Sequence, residues 1–238
     1  MNLEKLLKKG VNSAIKAGKY LIQNKNLKKN ILSDKGRDIK LEIDRTTEEL
    51  IRKELKVTKI EILGEEFGGG KSNLRWVVDP IDGTANYFRG LDQCCISIAL
   101  MDKKDALIGI IYNFNTKEMY SAAKGYGAFL NNKQIHVSDI KDKNNACLTT
   151  GFPASESLES SMEFLEGLKE WKKIRMFGSA ALSCAYVASG KCDYYAEKGV
   201  YLWDFAAGIC LVQEAGGDVK YDSLDDQRYS VRFSNNLL

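Results

Sequence analysis

The sequence holds one histidine in 238 residues, and that scarcity excludes a good deal of chemistry. Ser-His-Asp and Cys-His catalysis both need an imidazole beside the nucleophile. A zinc site is disfavoured for the same reason. His136 lies in the alternating segment Gln134-Ile135-His136-Val137-Ser138 and is expected to face solvent from a strand. Metal-type cysteine spacing is also missing: Cys94, Cys95, Cys147, Cys184, Cys192 and Cys210 form no C-x-x-C pair. Most sit in apolar surroundings and read as buried, reduced thiols of a cytoplasmic protein. There is little charge imbalance, the formal net charge being +3, so nucleic acid is not the expected partner. No apolar run is long enough to cross a bilayer, and the first residues lack a leader-type apolar stretch. Repeats and low-complexity linkers are absent as well. What remains for catalysis is carboxylates, hydroxyls and metal.

The length suffices for a real core without disulfide staples. Leu3, Leu6, Leu7, Val11, Ala14, Ile15, Leu21 and Ile22 recur at helical spacing, ringed by lysines, which reads as a packed apolar face under a solvated basic one. Ser33 to Asp38 reads as a turn, Ile39 to Ile43 as a short extended stretch, and Asp44 as the cap of a helix through Leu55. Ile60 to Leu63 is an expected strand, leading to Gly64-Glu65-Glu66 and then to Gly68-Gly69-Gly70, expected to be a mobile loop. Cys95–Leu100, Ala106–Tyr112, Glu118–Ala122, Ala128–Leu130 and Ile135–Val137 read as an antiparallel meander. Beyond Asn144, strands are expected at Cys147–Thr150, Ile174–Phe177 and Asp193–Glu197, and helices at Ser160–Trp171, Ser179–Ala188 and Trp203–Glu214. Asp218 to Val231 reads as an acidic tail of loop and strand. The plan is α+β, with an N-terminal half over residues 1–143 and a C-terminal half over 144–238, together one continuous unit.

One stretch organises the rest. Trp76-Val77-Val78 reads as a buried strand that stops at Asp79-Pro80, because proline has no N–H to continue a ladder. Asp79 and Asp82 lie three apart with the Ile81 carbonyl between them, and Gly83-Thr84 follows. Two carboxylates and a carbonyl suit a hard cation such as Mg²⁺. A glycine turn whose next N–H groups open a helix suits phosphate. Taken alone, Asp-Pro and Asp-Gly are also ordinary turn dipeptides.

With D-P-I-D-G-T-A-N-Y, the upstream G-E-E, the intermediate Lys124-Gly125-x-Gly127-Ala128-Phe129 and the downstream W-D-x-A-A-G…E-A-G-G, the chain resembles the inositol monophosphatase family from Lys35 to Asn236. These are Mg²⁺-dependent, lithium-sensitive phosphatases, and the resemblance implies the layered αβαβα sugar-phosphatase fold. It also implies that Glu65, Asp79, the Ile81 carbonyl, Asp82 and Asp204 hold two or three Mg²⁺ ions. Gly83 and Thr84 would meet the phosphate, and Asp44 would pair with Thr84. Catalysis falls to Glu65, Thr84 and Asp44. Substrate contacts fall to Asp82, Gly83, Thr84, Gly178, Ser179, Ala180, Glu197 and Asp204. A small-molecule phosphate ester, inositol 1-phosphate first, is the implied substrate, and a homodimer the implied assembly.

Three positions depart from the family pattern. Leu41 stands where threonine is usual, Tyr201 where histidine or proline is often found, and the customary last helix is missing, so the C-terminal edge is expected to be covered by a partner subunit. Fructose-1,6-bisphosphatase and histidinol phosphatase activities stay open as alternatives, as does a metal-binding regulatory protein without turnover. A nucleotide 3′-phosphatase is disfavoured because Ala85-Asn86-Tyr87 replaces the Lys-Glu usual after D-G-T in that branch. A haloacid-dehalogenase site fails on spacing, since its aspartates stand two apart.

Overall fold

The structure is a computed structural model and describes residues 1–25, 31–35, 38–152, 158–224 and 227–238. In chain order the elements are α1 (Leu3–Gln23), β1 (Ile31–Lys35), β2 (Asp38–Leu41), α2 (Glu42–Leu55), β3 (Glu61–Gly64), β4 (Gly68–Gly69), β5 (Leu74–Asp82) and α3 (Thr84–Arg89). There follow β6 (Cys95–Asp102), β7 (Asp105–Asn113), β8 (Glu118–Ala123), β9 (Gly127–Leu130), β10 (Lys133–Ile135) and β11 (Cys147–Thr150). The chain closes with α4 (Leu158–Leu168), β12 (Lys173–Arg175), α5 (Ala180–Ala188), β13 (Tyr194–Tyr201), α6 (Leu202–Glu214), β14 (Asp218–Ser223) and β15 (Arg228–Ser234).

An eight-stranded sheet runs β10-β9-β8-β7-β6-β5-β3-β4, antiparallel except where β3 lies parallel to β5. Both faces of β5 are buried, because alternate side chains of a strand point to opposite sides. Trp76 and Val78 pack under Ala14, Ala17 and Leu21 of α1 and Ile51 and Leu55 of α2. Val77 faces the other way, toward α5 and α6. Those two helices are apolar around their whole circumference, as a helix between two sheets must be, and every residue from Phe205 to Val212 is buried. Their far side meets Tyr195, Val231 and Phe233 of a mixed five-stranded sheet, ordered β12-β11-β13-β15-β14. Across that sheet, Phe164 of α4 borders a cleft with Ala196, Lys198 and Arg232, which completes the αβαβα layering.

Several boundaries differ from the sequence expectations. The ladder does not stop at Asp79-Pro80: β5 continues to Asp82 through a bulge between Asp79↔Ser97 and Asp82↔Cys95, and Pro80 occupies that bulge, where no ladder N–H is required. Gly68 to Gly70 is no open loop, since Gly68 and Gly69 pair with Gly64 and Leu63 as β4. Asp44 is no cap; it is the third residue of α2. β10 ends at Ile135, so the exposed His136 lies just outside a strand. β13 runs past Glu197 to Tyr201, α4 stops at Leu168, β12 at Arg175, and the expected acidic tail is the β14–β15 hairpin. Gly36 and Arg37 of the expected turn, Pro153 and the Leu41 side chain lie outside the described residues. No helix of the described residues is long and apolar enough to cross a membrane.

Candidate active site

Parallel pairing of β3 with β5 brings the first acidic groups together. Gly64 is opposite Val78, and the Glu65 N–H donates to the Val78 carbonyl at 3.2 Å, so Glu65 leaves its strand beside Asp79. The bulge then turns Asp79, Ile81 and Asp82 into one short arc, with Asp79 Oδ1 accepting from the Ile81 N–H at 2.9 Å. Gly83 holds φ at +89°, in the left-handed region, and a Cβ there would meet the Gln93 carbonyl at 2.8 Å. Only glycine fits both demands. Thr84 opens α3, and its hydroxyl donates to the Ile81 carbonyl at 2.9 Å, with Asp44 Oδ1 a looser acceptor at 3.4 Å.

α5 and α6 supply the opposite wall. Ser179 caps α5 by accepting from the Leu182 N–H, and its own hydroxyl donates to Asp82 Oδ2 at 2.5 Å. The Ala181 N–H donates to the same oxygen at 2.7 Å. Ser179 and Ala180 therefore lie behind Asp82, while Gly178 is exposed. Asp204 is the third residue of α6, and its carboxylate accepts from the Tyr201 N–H at 2.7 Å. The Tyr201 ring stacks on Trp203 at 5.0 Å with Arg228 over it. Glu197, on β13, accepts from the Tyr195 hydroxyl at 2.9 Å.

These carboxylates feel one another. Desolvation holds Asp79 well above the usual range, and Glu65, Asp82, Asp204 and Asp44 push it further, in that order. Asp204 is raised by desolvation and then by Asp82, against the Tyr201 N–H. Asp82 reaches about 6: desolvation outweighs the donors Ser179, Ala181, Ala180 and Cys95. Burial takes Glu197 to about 7, against its Tyr195 hydrogen bond, with Asp82 adding to the rise. Carboxylates that raise one another this way are stabilised by a cation. The donors are all hard oxygen, the chemistry Mg²⁺ takes. Among the described residues no three side chains close into a finished ion cage. They surround the β5 end as separate walls.

Glu48, Arg52 and Asn86 were missed by the sequence reading. Glu48 is fully buried, accepts from Arg52 Nε at 2.7 Å and from the Glu66 N–H at 2.7 Å, and so pins the Glu65 turn from behind. Arg52 also donates to the Gly68 carbonyl at 2.6 Å. The available signal was the i,i+4 spacing of Glu48 from Asp44 and of Arg52 from Glu48 on one helix face. Asn86 donates to the carbonyls of Gln93 and Phe177, both at 2.7 Å, and clips α3 to the Gly178 turn. No local signal marks it.

A layered α+β fold with a cluster of mutually repelling carboxylates beside a glycine-opened helix fits one class, the phosphoric monoester hydrolases. The chain belongs to the inositol monophosphatase family, which it matches over residues 2–224. Among its relatives, the "Nus factor SuhB" of Xylella fastidiosa is 39% identical over 88% of this chain and 79% of its own. An "Inositol-1-monophosphatase" of Rhizobium meliloti is 36% identical over 89% and 84%. The solved structure of the Thermotoga maritima IMPase superposes with a TM-score of 0.87 at 30% identity, covering 98% of this chain and 93% of that one.

Proposed function

We propose that the protein hydrolyses the phosphate ester of a small polyol or sugar, inositol 1-phosphate first, with Mg²⁺ as cofactor in two or three ions. The observation that carries this reading is the buried Asp79, hemmed by Glu65, Asp82, Asp204 and Asp44 next to Gly83 and Thr84. Glu65, Asp79, the Ile81 carbonyl, Asp82 and Asp204 would hold the metal. When bound, Mg²⁺ supplies positive charge that neutralises these groups and polarises the phosphoryl oxygens. The Gly83 and Thr84 N–H groups bind phosphate oxygens. Glu65 orients the attacking water, whose proton passes to Thr84 Oγ1 as the Thr84 hydroxyl, turned from the Ile81 carbonyl, gives its own to Asp44 Oδ1; the ester P–O bond breaks and the departing alkoxide takes a proton from solvent. Glu197 accepts from a substrate hydroxyl, and Gly178, Ser179 and Ala180 form the sugar side. The same reading makes the protein a cytoplasmic, lithium-sensitive homodimer, its residues 1–143 and 144–238 acting as one unit.

The test is phosphate release with and without Mg²⁺ and lithium from inositol 1-phosphate, fructose 1,6-bisphosphate, histidinol phosphate and 3′-phosphoadenosine 5′-phosphate. One preferred, lithium-sensitive substrate supports the reading. Absence of Mg²⁺-dependent release from every one sinks it. A second reading comes from the Xylella relative, whose name is that of a Nus factor. Asp82→Asn separates the two, because it abolishes phosphate release and leaves a role exerted through a protein partner intact.

A further inference from the structure

Two of the six cysteines differ from the rest. Cys94, Cys95, Cys184 and Cys210 are sealed in the core at 1% exposure or less, and the consecutive Cys94 and Cys95 face opposite sides of the large sheet. Cys147 opens β11 and Cys192 lies just ahead of β13, their sulfurs 3.9 Å apart. Their backbones are locked side by side. The Asp193 N–H donates to the Cys147 carbonyl at 2.9 Å, and the Cys147 N–H returns to Asp193 Oδ2 at 2.6 Å. Bonding the sulfurs therefore asks for about 1.9 Å of approach, within reach of side-chain rotation plus a small backbone adjustment.

Both thiols line a 440 Å³ cleft walled by Phe177 and Tyr186, whose rings meet edge to face at 4.9 Å. Cys147 is half-buried and Cys192 only 3% exposed, so a reagent in the cleft meets Cys147 first. Lys173 and Arg175 stand exposed on the same cleft; among the described residues that line it there is no carboxylate, the Asp193 side chain lying beside it on the Cys147 N–H. Lys191 lines it too, but is already paired with Glu118 at 2.6 Å. The cleft thus offers positive charge beside an accessible sulfur.

We propose that Cys147 and Cys192 are a redox-active dithiol, closed to a disulfide by exchange with an anionic small-molecule disulfide of the glutathione type. The Cys147 thiolate attacks one sulfur of the reagent, forming a mixed disulfide and releasing one glutathione thiolate. The Cys192 thiolate then attacks the Cys147 sulfur and releases the second. The two protein protons end on the two departing thiolates, so dithiol plus disulfide gives disulfide plus two thiols. Burial and then Cys147 push the Cys192 thiol up to about 12, which makes it the slow attacker, helped by proximity to its target. The bond would staple β11 to β13 across a separation of 45 residues. That segment carries α5, which holds Asp82 through Ser179 and Ala181.

The test takes the full chain through a series of oxidised to reduced glutathione ratios, followed by acid quench, alkylation and peptide mapping by mass spectrometry. One Cys147–Cys192 cross-link is expected, with the other four thiols unreacted until unfolding. Cys192→Ser should accumulate glutathione on Cys147, and Cys147→Ser should take up none. Oxidised protein should melt at a higher temperature than reduced protein, and the difference should vanish in both variants. A lasting mixed disulfide in the unsubstituted protein, or cross-links scattered over other cysteines, overturns the pairing. Equal rates with glutathione disulfide and an uncharged dithiodiethanol reagent overturn the role given to Lys173 and Arg175. None of these readouts depends on phosphatase activity.

Discussion

The Glu48 carboxylate fills the space in which a side chain on Gly64 would have to sit: a Cβ there would come within 2.0 Å of Glu48 Oε1. The carboxylate cannot swing aside, because Arg52 and the Glu66 N–H hold it at 2.7 Å each. Gly64→Ala should therefore cost about 1–3 kcal/mol, as overpacking does, and, on the role proposed for Glu65, should lower kcat by displacing it. Urea unfolding of a double-mutant cycle checks the cause. Glu48→Ala in the Gly64→Ala background should cost clearly less than in the unsubstituted protein, where it strands the Arg52 guanidinium. Additive losses would mean the two residues do not compete for one space.

Ser179 serves two masters, the α5 backbone and the Asp82 carboxylate. Ser179→Ala should lose about 1 kcal/mol of stability from the cap. If Asp82 holds Mg²⁺ as proposed, it should also raise the Mg²⁺ concentration for half-maximal activity by about tenfold, the usual effect of removing a group that orients a metal ligand. Ser179→Thr, which keeps the hydroxyl, should recover most of both. A variant that lost stability but kept its Mg²⁺ dependence would leave Ser179 a cap and nothing more.

Strands and helices were legible where apolar spacing reports them, as in β5, α1 and α6. The failures have physical causes. Pro80 reads as a stop because it lacks an N–H, yet a bulge is the place where a ladder needs none. Gly68 and Gly69 carry no side chains to show an alternating pattern, so backbone pairing with β3 was invisible. In the candidate site, Asp79 and Asp82 stand out because metal and phosphate chemistry calls for their residue types and spacing, whereas Glu65 and Asp204 are picked out only by the family resemblance. Glu48 and Asn86 are marked by neither, since their use is set by what the fold lays against them: a glycine 16 positions later and a turn 91 positions later.

Asn86 gives a test of that second kind of residue. Its amide nitrogen spends both hydrogens on the Gln93 and Phe177 carbonyls. Asn86→Ala should cost about 1–2 kcal/mol by abandoning two acceptors. Asn86→Asp, nearly identical in shape, should cost more, because it sets a carboxylate without donors against two carbonyl oxygens. Guanidinium midpoints should fall in the order Asn, Ala, Asp. An aspartate variant as stable as the parent would mean the amide clip contributes nothing.

Glu197 makes the pH dependence readable. Its pKa rises on folding from 4.5 to about 7, chiefly through burial, so between those values the native state binds more protons than the unfolded one. Stability from this group is then fully present below about 4.5 and is lost as pH climbs through about 7. Because Glu197 is partly open to solvent, the loss is on the order of 2 kcal/mol rather than the full value of the shift. Asp79, Asp82 and Asp204 slope the same way, so wild-type melting alone will not isolate it. The comparison that does is with Glu197→Gln, which keeps an uncharged carbonyl toward the Tyr195 hydroxyl at every pH. In metal-free buffer the two proteins should melt together near pH 4, and the glutamine variant should melt several degrees higher by pH 8. A gap that stays constant across that range would place the Glu197 carboxylate in an ordinary, solvated setting.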